Sequence, residues 1–315
     1  MKHREAILHQ LRTAGEQGIS GQTLAQNLGV SRTAIWKAIK NLQKEGYGIT
    51  AGKNRGYCLV EDRDRLSVSE LRGLLPDLEI VVLDSVDSTN NEAKRRIVSG
   101  GQKPLLVTAE SQTAGRGRQG KSFYSPDGTG IYLTLVVHPN APILDAVSVT
   151  TRASVAVCRA IRNICDAQPE IKWVNDLYLN GKKICGILVE AMSDFETGIT
   201  KSLVIGVGVN VSTREFPDDL PDAASLSMPG VSRNRLIAEI VKELCRETAD
   251  LQDRSYLTDY RRWSLVLGKE IKYIRNDGTY YATAVEIDDN GGLIVEDEQG
   301  NRTTLQSGEI SLRLR

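Results

Sequence analysis

Residues 110–123 read ESQTAGRGRQGKSF, and their glycines Gly115, Gly117 and Gly120 satisfy the G-x-G-x-x-G pattern of a dinucleotide-binding turn. That pattern carries meaning only where a strand runs straight into the first glycine, a helix opens from the last, and an acid follows about 20 residues on. Here a loop precedes the glycines, and SFYSPDGTGIYLTLVV (122–137) reads as turn and strand. A doubly wound parallel sheet fails on that context. Arg116, Arg118 and Lys121 instead load the loop with positive charge. Glycines let a backbone approach a ligand and refold, and arginines neutralise phosphate while bonding it through a planar fork. The stretch reads as a mobile loop that closes over an anion. A merely solvated basic loop is the alternative, and the entropy of ordering so many glycines counts against it.

Downstream, IKWVNDLYLNGKKICGILVE (171–190) gives strand, Asn175-Asp176 turn, strand, Asn180-Gly181 turn, strand. Lys183 starts the last strand, where a hairpin can point it into a pocket and its ammonium can stabilise charge building on a phosphoryl or acyl oxygen. Asp176 is placed to help hold a metal–nucleotide complex. An ordinary charged hairpin explains Lys182 and Lys183 equally well from spacing alone. Upstream, LDSVDSTNNEA (83–93) is a strand-to-helix junction in which Thr89 and Glu92 match a capping box. Ser88 and Asn90, with the free N–H groups of a helix start, can bind a polar ligand head. In VIGVGVNVS (204–212), Gly206 and Gly208 thin one strand face, as close approach of a ligand or of another backbone requires.

Around these stretches, strand patterns occupy 80–83, 105–109, 131–137, 171–174, 184–190 and 203–211. Helical patterns lie near 90–99, 147–164 and 233–251, the last with Leu236, Ile237, Ile240, Val241 and Leu244 on one face. Hairpins among interspersed helices imply an α+β domain on a mixed or antiparallel sheet. EDRDRLSVSE (61–70) is charged and reads as a linker.

Ahead of it, residues 4–14 form a first helix with Ile7, Leu8 and Leu11 on one face. In GISGQTLAQNLGVSRTAIWKAIKNLQKEG (18–46), Ser20 caps a short helix burying Leu24, Ala25 and Leu28, and Gly29 breaks it. Ser31 caps a third helix whose Ile35, Ala38, Ile39 and Leu42 follow i, i+3, i+4, i+7. Two helices joined by a short glycine-containing turn make a helix-turn-helix. The third helix's outer face carries Thr33, Lys37, Lys40 and Lys44, flanked by Arg32 and Trp36. Lysines there can reach phosphates, while Arg32, Thr33 and Trp36 in the first turns can meet base edges. A β-hairpin follows, with Lys53 and Arg55 at its tip, as in a winged helix. The expected DNA contacts are Ser31, Arg32, Thr33, Trp36, Lys37, Lys40, Lys53 and Arg55. The first 60 residues hold nine basic and three acidic side chains, an excess of six positive charges in a chain of zero net charge. Such asymmetry points to a nucleic-acid contact confined to this segment. A basic protein-interaction domain is the alternative.

A chain of 315 residues suggests two or three domains. No apolar run approaches the length of a membrane span, and the first residues lack a signal-peptide pattern, so a cytoplasmic location is expected. The five cysteines (Cys58, Cys158, Cys165, Cys185, Cys245) fit no zinc spacing, and three histidines are too few for an obvious Cys/His metal site. Buried, reduced thiols are expected.

Taken together, DSTN (87–90), AGRGRQG (114–120) and KWVNDLYL with KKICGILVE (172–190) resemble, in order and approximate spacing, the bifunctional biotin–protein ligase and biotin-operon repressor family. The resemblance covers essentially the whole chain. It implies a winged helix-turn-helix at 1–62, a ligase domain at 63–267 and an SH3-like β barrel at 268–315, the last with turns at Asn276-Asp277-Gly278, Asn290-Gly291-Gly292 and Gln299-Gly300-Asn301. It implies that biotin attacks Mg2+-bound ATP to give biotinyl-5′-AMP, and that a lysine of a carboxylase carrier domain then takes the biotin. Ser88, Thr89, Asn90 and Gln112 would meet biotin; Gly115, Arg116, Gly117 and Arg118 would cover the adenylate; Lys183 would contact the reacting carboxylate and phosphate. Lys172, Asn175, Asp176 and Asn210 are the candidates for ATP and Mg2+. Biotinyl-5′-AMP would also act as corepressor, favouring a homodimer on operator DNA. The chain departs from the family's frequent residues at Val174 (often Pro), Gln119 (often Arg) and Phe123 (often Trp).

Three other functions compete. A ligand-sensing regulator needs no catalytic lysine, and the intact GRGR loop argues against it. A lipoate–protein ligase on a similar domain is disfavoured by that loop and by the winged helix. A monofunctional ligase is disfavoured by the basic N-terminal face.

Overall fold

In the computed structural model, which describes residues 4–44, 47–52, 55–61, 64–142, 146–194, 196–228, 231–275, 278–306, 308 and 310–312, the chain divides into units Met1–Ser69 and Glu70–Arg315. The first unit places α1 (Arg4–Ala14), α2 (Gly21–Leu28) and α3 (Arg32–Lys44) ahead of an antiparallel hairpin, β1 (Gly48–Gly52) and β2 (Gly56–Glu61). The caps are those the sequence calls for. Thr23 N donates to Ser20 Oγ at 2.9 Å, Ala34 N donates to Ser31 Oγ at 3.1 Å, and Gly29 ends α2 in the left-handed region at φ +64°. Ile7, Leu8, Leu11, Leu24, Ile35, Ile39 and Leu42 share one buried cluster with Tyr47 and Ile49. Each such aliphatic side chain stabilises the unit by about 1.5–3 kcal/mol relative to exposure. Lys53, the turn at Asn276-Asp277 and the side chain of Lys44 lie outside the described residues.

A helix α4 (Val68–Leu74) spans the boundary between the units; its first three residues fall in the stretch 61–70 read as a linker, where residues 64–67 form no helix or strand, and Leu66, Leu71 and Leu75 are buried. Then come β3 (Glu79–Val86), α5 (Thr89–Val98), β4 (Leu105–Gln112), β5 (Gly130–Val137), β6 (Ala141–Pro142), α6 (Ala146–Cys165), β7 (Glu170–Lys172), β8 (Asp176–Leu179), β9 (Lys182–Asp194) and β10 (Ile199–Asn210). The main sheet runs β3-β4-β5-β10-β9-β8-β7, with β6 paired to β10. Among the described strands of this sheet, only β3 and β4 pair in parallel, so the sheet is mixed and α5 is its crossover. Asn180 and Gly181 both take positive φ, +52° and +76°, as a tight hairpin between β8 and β9 demands.

Ala93 of α5 packs with Leu105, Val107, Val136 and Val204 on one sheet face. α6 packs against β9 and against α7 (Arg233–Ala249), and α8 (Tyr256–Arg262) closes on α6. Buried Arg152 of α6 lies 4.4 Å over the Tyr256 ring and donates to Leu251 O at 2.9 Å and to the Asp253 carbonyl.

β11 (Glu270–Arg275), β12 (Gly278–Ile287), β13 (Leu293–Glu296), β14 (Arg302–Leu305) and β15 (Ile310–Leu312) form a five-stranded antiparallel sheet ordered β14-β13-β12-β11-β15. Hydrogen bonds tie it to the rest of the unit: Trp173 Nε1 donates to Gly291 O at 2.9 Å, and Arg261 Nε to Ile287 O at 2.9 Å. Four cysteines are buried and Cys245 is half-buried, all as free thiols. Among the described residues, no helix is long and apolar enough to cross a membrane.

Candidate functional site

A cleft of about 370 Å3 lies over β9 and β10. Its first wall is the N-terminus of α5. The expected capping box does not form: Glu92 pairs with Arg95 and Arg96, and Ser88 occupies the cap position without a capping hydrogen bond. Gln112, at the end of β4, caps from outside instead. Its Oε1 accepts from Thr89 N at 2.9 Å and Thr89 Oγ1 at 3.2 Å, while its Nε2 donates to Ser125 Oγ at 2.9 Å. A carboxamide 23 residues away thus replaces the local glutamate, which leaves Ser88 at the mouth of the helix.

Ser88, Thr89 and Asn90 are all buried. Thr134 Oγ1 of β5 lies 2.6 Å from Asn90 Oδ1 and 2.9 Å from Thr89 Oγ1. Asn90 Nδ2 donates to Glu190 Oε2 at 2.9 Å. Gly206 makes room for this: a Cβ there would fall on the Asn90 carboxamide. The space opened by Gly206 thus holds a side chain of the same fold. Gly208 and Gly186 face each other across β10 and β9, and the Phe123 ring covers them; a Cβ at Gly208 would strike that ring.

The second wall is the glycine-rich loop. Arg116 Nη1 reaches Asn91 Oδ1 at 3.1 Å and Glu190 Oε1 at 3.2 Å, and Arg118 Nη1 reaches Asn175 Oδ1 at 3.3 Å. Gly115 does not line the cleft; a Cβ there would meet Phe123 O and the Gln112 carboxamide, so its role is close backbone packing.

The third wall is the β8–β9 hairpin. Lys183 Nζ stands 2.7 Å from Asp176 Oδ2, and the other Asp176 oxygen is buried with no hydrogen-bond partner. Lys183 is fixed from its backbone: its N donates to Asp222 O at 2.7 Å, and its O accepts from Ala224 N at 2.8 Å. Lys172 Nζ approaches Tyr178 OH at 3.2 Å. Burial, then the nearby Asp176 carboxylate, raises the Tyr178 phenol above its ordinary range. Asn210 is elsewhere; it is buried, it donates to Ala224 O at 3.0 Å, and it does not line the cleft.

Ser88, Thr89, Asn90, Gln112, Arg116, Gly117, Arg118, Lys172, Asn175, Asp176 and Lys183 therefore converge from four chain segments, whereas Gly115 and Asn210 support the site from outside. Thr134 belongs to no motif, and Tyr178 and Glu190, although they lie inside KWVNDLYL and KKICGILVE, are not among the residues that the sequence singles out. The only trace of Glu190 and Thr134 in the sequence is Gly206, the gap through which Asn90 reaches them. Burial pushes the Glu190 carboxyl up, but hydrogen bonds from Asn90 and Lys94 and the charges of Lys94 and Arg116 outweigh it and hold it below its ordinary range.

In the first unit, Ser31, Arg32, Thr33, Trp36, Lys37, Lys40 and Arg55 are all exposed, with Trp36 52% accessible. Arg32, Thr33 and Trp36 border a notch whose other sides are Ser20–Gln22, Ala51, Gly52 and Tyr57. Ser31 Oγ is engaged as the cap of α3.

Comparison with known proteins adds the following. The Biotin/lipoate A/B protein ligase family matches residues 82–210, an HTH domain matches 3–58, and the Biotin protein ligase C terminal domain matches 266–313. The bifunctional ligase/repressor BirA of Bacillus spizizenii is 35% identical over 98% of this chain and 98% of its own length. The bifunctional ligase/repressor BirA of Escherichia coli is 31% identical over 93% of this chain and 92% of its own. The biotin protein ligase from Aquifex aeolicus, solved in complex with biotin and ATP, superposes with a TM-score of 0.63 at 27% identity, covering 75% of this chain and 98% of that one.

Proposed function

We propose that this chain, which belongs to the family of bifunctional biotin–protein ligase/repressors, activates biotin with ATP, transfers it to a carrier lysine, and represses transcription through its N-terminal domain. The observation that carries the ligase reading is one cleft in which the buried Ser88–Thr89–Asn90 end faces the Arg118 and Lys183 cations. Biotin's ureido ring needs fixed hydrogen-bond partners, and the α5 N-terminus supplies them. Its carboxylate oxygen attacks the α-phosphorus of ATP; the bond to pyrophosphate breaks, giving biotinyl-5′-AMP. Lys183 and Arg118 stabilise charge on the carboxylate and phosphoryl oxygens. The amine of a carrier-domain lysine then attacks the acyl carbon, and AMP leaves. The Gly115–Gly120 loop keeps water from the anhydride.

Mg2+ enters as part of the MgATP substrate. Mg2+ typically takes one or two carboxylates beside its phosphate and water ligands. The unpartnered buried Asp176 oxygen suits that demand, with Asn175 beside it and Lys172 reserved for phosphate.

The five-stranded C-terminal sheet is read as a small SH3-like barrel, supported by its antiparallel order and short turns. Domain limits of 1–62, 63–267 and 268–315 follow from the same reading. As a repressor, the protein works in the cytoplasm as a homodimer stabilised by biotinyl-5′-AMP as corepressor. Two winged helices then reach operator DNA through Arg32, Thr33, Trp36, Lys37, Lys40 and the wing residues Lys53 and Arg55. The carrier domain of a biotin-dependent carboxylase competes for the surface that the homodimer uses.

The test is the mass of a carrier domain incubated with protein, MgATP and biotin, with lipoate in parallel. A biotin-sized gain with biotin alone is expected; a gain with lipoate alone would overturn the substrate assignment. Operator affinity and sedimentation, each with and without biotinyl-5′-AMP, test the repressor: both should rise together.

A further inference from the structure

Glu190 of β9 lies behind the cleft, and its carboxylate gathers three donors from two segments, α5 and the glycine-rich loop. Oε2 accepts from Asn90 Nδ2 at 2.9 Å; Oε1 accepts from Lys94 Nζ at 3.0 Å and from Arg116 Nη1 at 3.2 Å. The side chain is 24% exposed and Arg116 41%, so the Arg116 contact is exchangeable, whereas Asn90 is buried. Asn90 is oriented from both ends, since Thr134 occupies its Oδ1. Two cations therefore share one carboxylate. Breaking an ion pair is costly when it leaves a half-buried charge without compensation. Here Lys94 remains on Oε1 if Arg116 departs, so the loop arginine can leave without stranding the glutamate.

We propose that Glu190 is a positioning residue of the ligase: it fixes the Asn90 carboxamide for biotin and holds Arg116 away from the phosphate until the nucleotide competes for it, with Lys94 as the standing counter-ion. Glu190 touches neither substrate; it acts through Asn90 and Arg116. The inference rests on the reading that Arg116 meets the adenylate.

The consequence is a pair of variants with opposite signs. Glu190→Gln keeps an acceptor for Asn90 but removes the charge that competes for Arg116, so KM for MgATP in biotin-dependent pyrophosphate exchange should fall about two- to fivefold, the worth of an accessible ion pair. Lys94→Met leaves Arg116 as the sole counter-ion, holds it more firmly on Glu190, and should raise that KM by a similar factor. In the double variant, the Lys94→Met effect should vanish, because no carboxylate remains to hold the arginine. KM for biotin should stay near wild type in Glu190→Gln and rise in Glu190→Ala, which strands Asn90. Thermal melting of each variant separates misfolding from the predicted changes. If both single variants move KM for MgATP in the same direction, or if Lys94→Met acts equally with and without Glu190, the inference is wrong while the ligase reading stands. Absence of any biotin-dependent exchange in the wild type would instead remove the ligase reading itself.

Discussion

The two ends of the cleft are built differently. At the α5 end, Thr89 and Asn90 are buried and joined to Gln112, Thr134 and Glu190 by hydrogen bonds within the protein. At the other end, Arg118 and Lys183 are partly buried, and each is held by a protein oxygen that a phosphate or carboxylate can replace; the loop's Arg116 is held between the two, on Asn91 and Glu190. The first end selects; its geometry must precede the substrate. The second must be free to rearrange as charge moves from biotin to phosphate to carrier. A preorganised recognition end and an exchangeable reactive end are what a two-step enzyme with a labile intermediate needs.

That contrast can be broken by substitution. The largest effect is expected from Lys183→Ala, which removes a cation from the reacting centre: the adenylation rate should fall about 100- to 1,000-fold in single-turnover assays. A much smaller change would move the chemistry away from the β8–β9 hairpin. Gly206→Ala attacks the other end, at a glycine that lines the cleft and adjoins Asn90. Its methyl would displace Asn90, and biotin affinity should weaken roughly 10- to 100-fold, the cost of overpacking a rigid site. KM for MgATP should change little. Thr134→Val strands Asn90 Oδ1 and should cost about tenfold in biotin affinity by calorimetry.

The smallest effect is a pH dependence. Glu190 is held below its ordinary value, so its ion pairs stabilise the fold above the unfolded glutamate range, near 4.3, and that contribution is lost as pH falls through the lower folded value. Wild type should therefore melt above Glu190→Gln at neutral pH, and the gap should close as the solution is acidified below pH 4. A gap that widens on acidification would mean that Glu190 is not ionised in the fold.

Much of this was legible in the sequence because it depends on local signals. Ser20, Gly29 and Ser31 set the limits of α2 and α3, and the period of Ile35, Ala38, Ile39 and Leu42 set the buried face. Asn180-Gly181 fixed the hairpin that presents Lys183. What stayed hidden depends on contacts between distant segments. Thr89 and Glu92 carry the letters of a capping box, yet Gln112 outcompetes Glu92 for the Thr89 N–H while Arg95 and Arg96 hold the glutamate. Gly206 advertised a gap but not its occupant, Asn90, because the two meet only once α5 crosses β10. Asn210 sits in sequence among site-like glycines, yet its side chain ties down Ala224 instead of lining the cleft. Glu190 follows the apolar run Ile187–Val189 within β9 and gave no sign that its carboxylate gathers three donors.

The most direct test of the contrast is a calorimetric titration of biotin, without nucleotide, into wild type, Gly206→Ala and Lys183→Ala. A preorganised biotin end predicts that Gly206→Ala loses much more affinity than Lys183→Ala, which loses only its contact with the biotin carboxylate and whose main defect appears when MgATP is added. If Lys183→Ala loses more biotin affinity than Gly206→Ala, the reactive end is carrying recognition and the division of labour is contradicted.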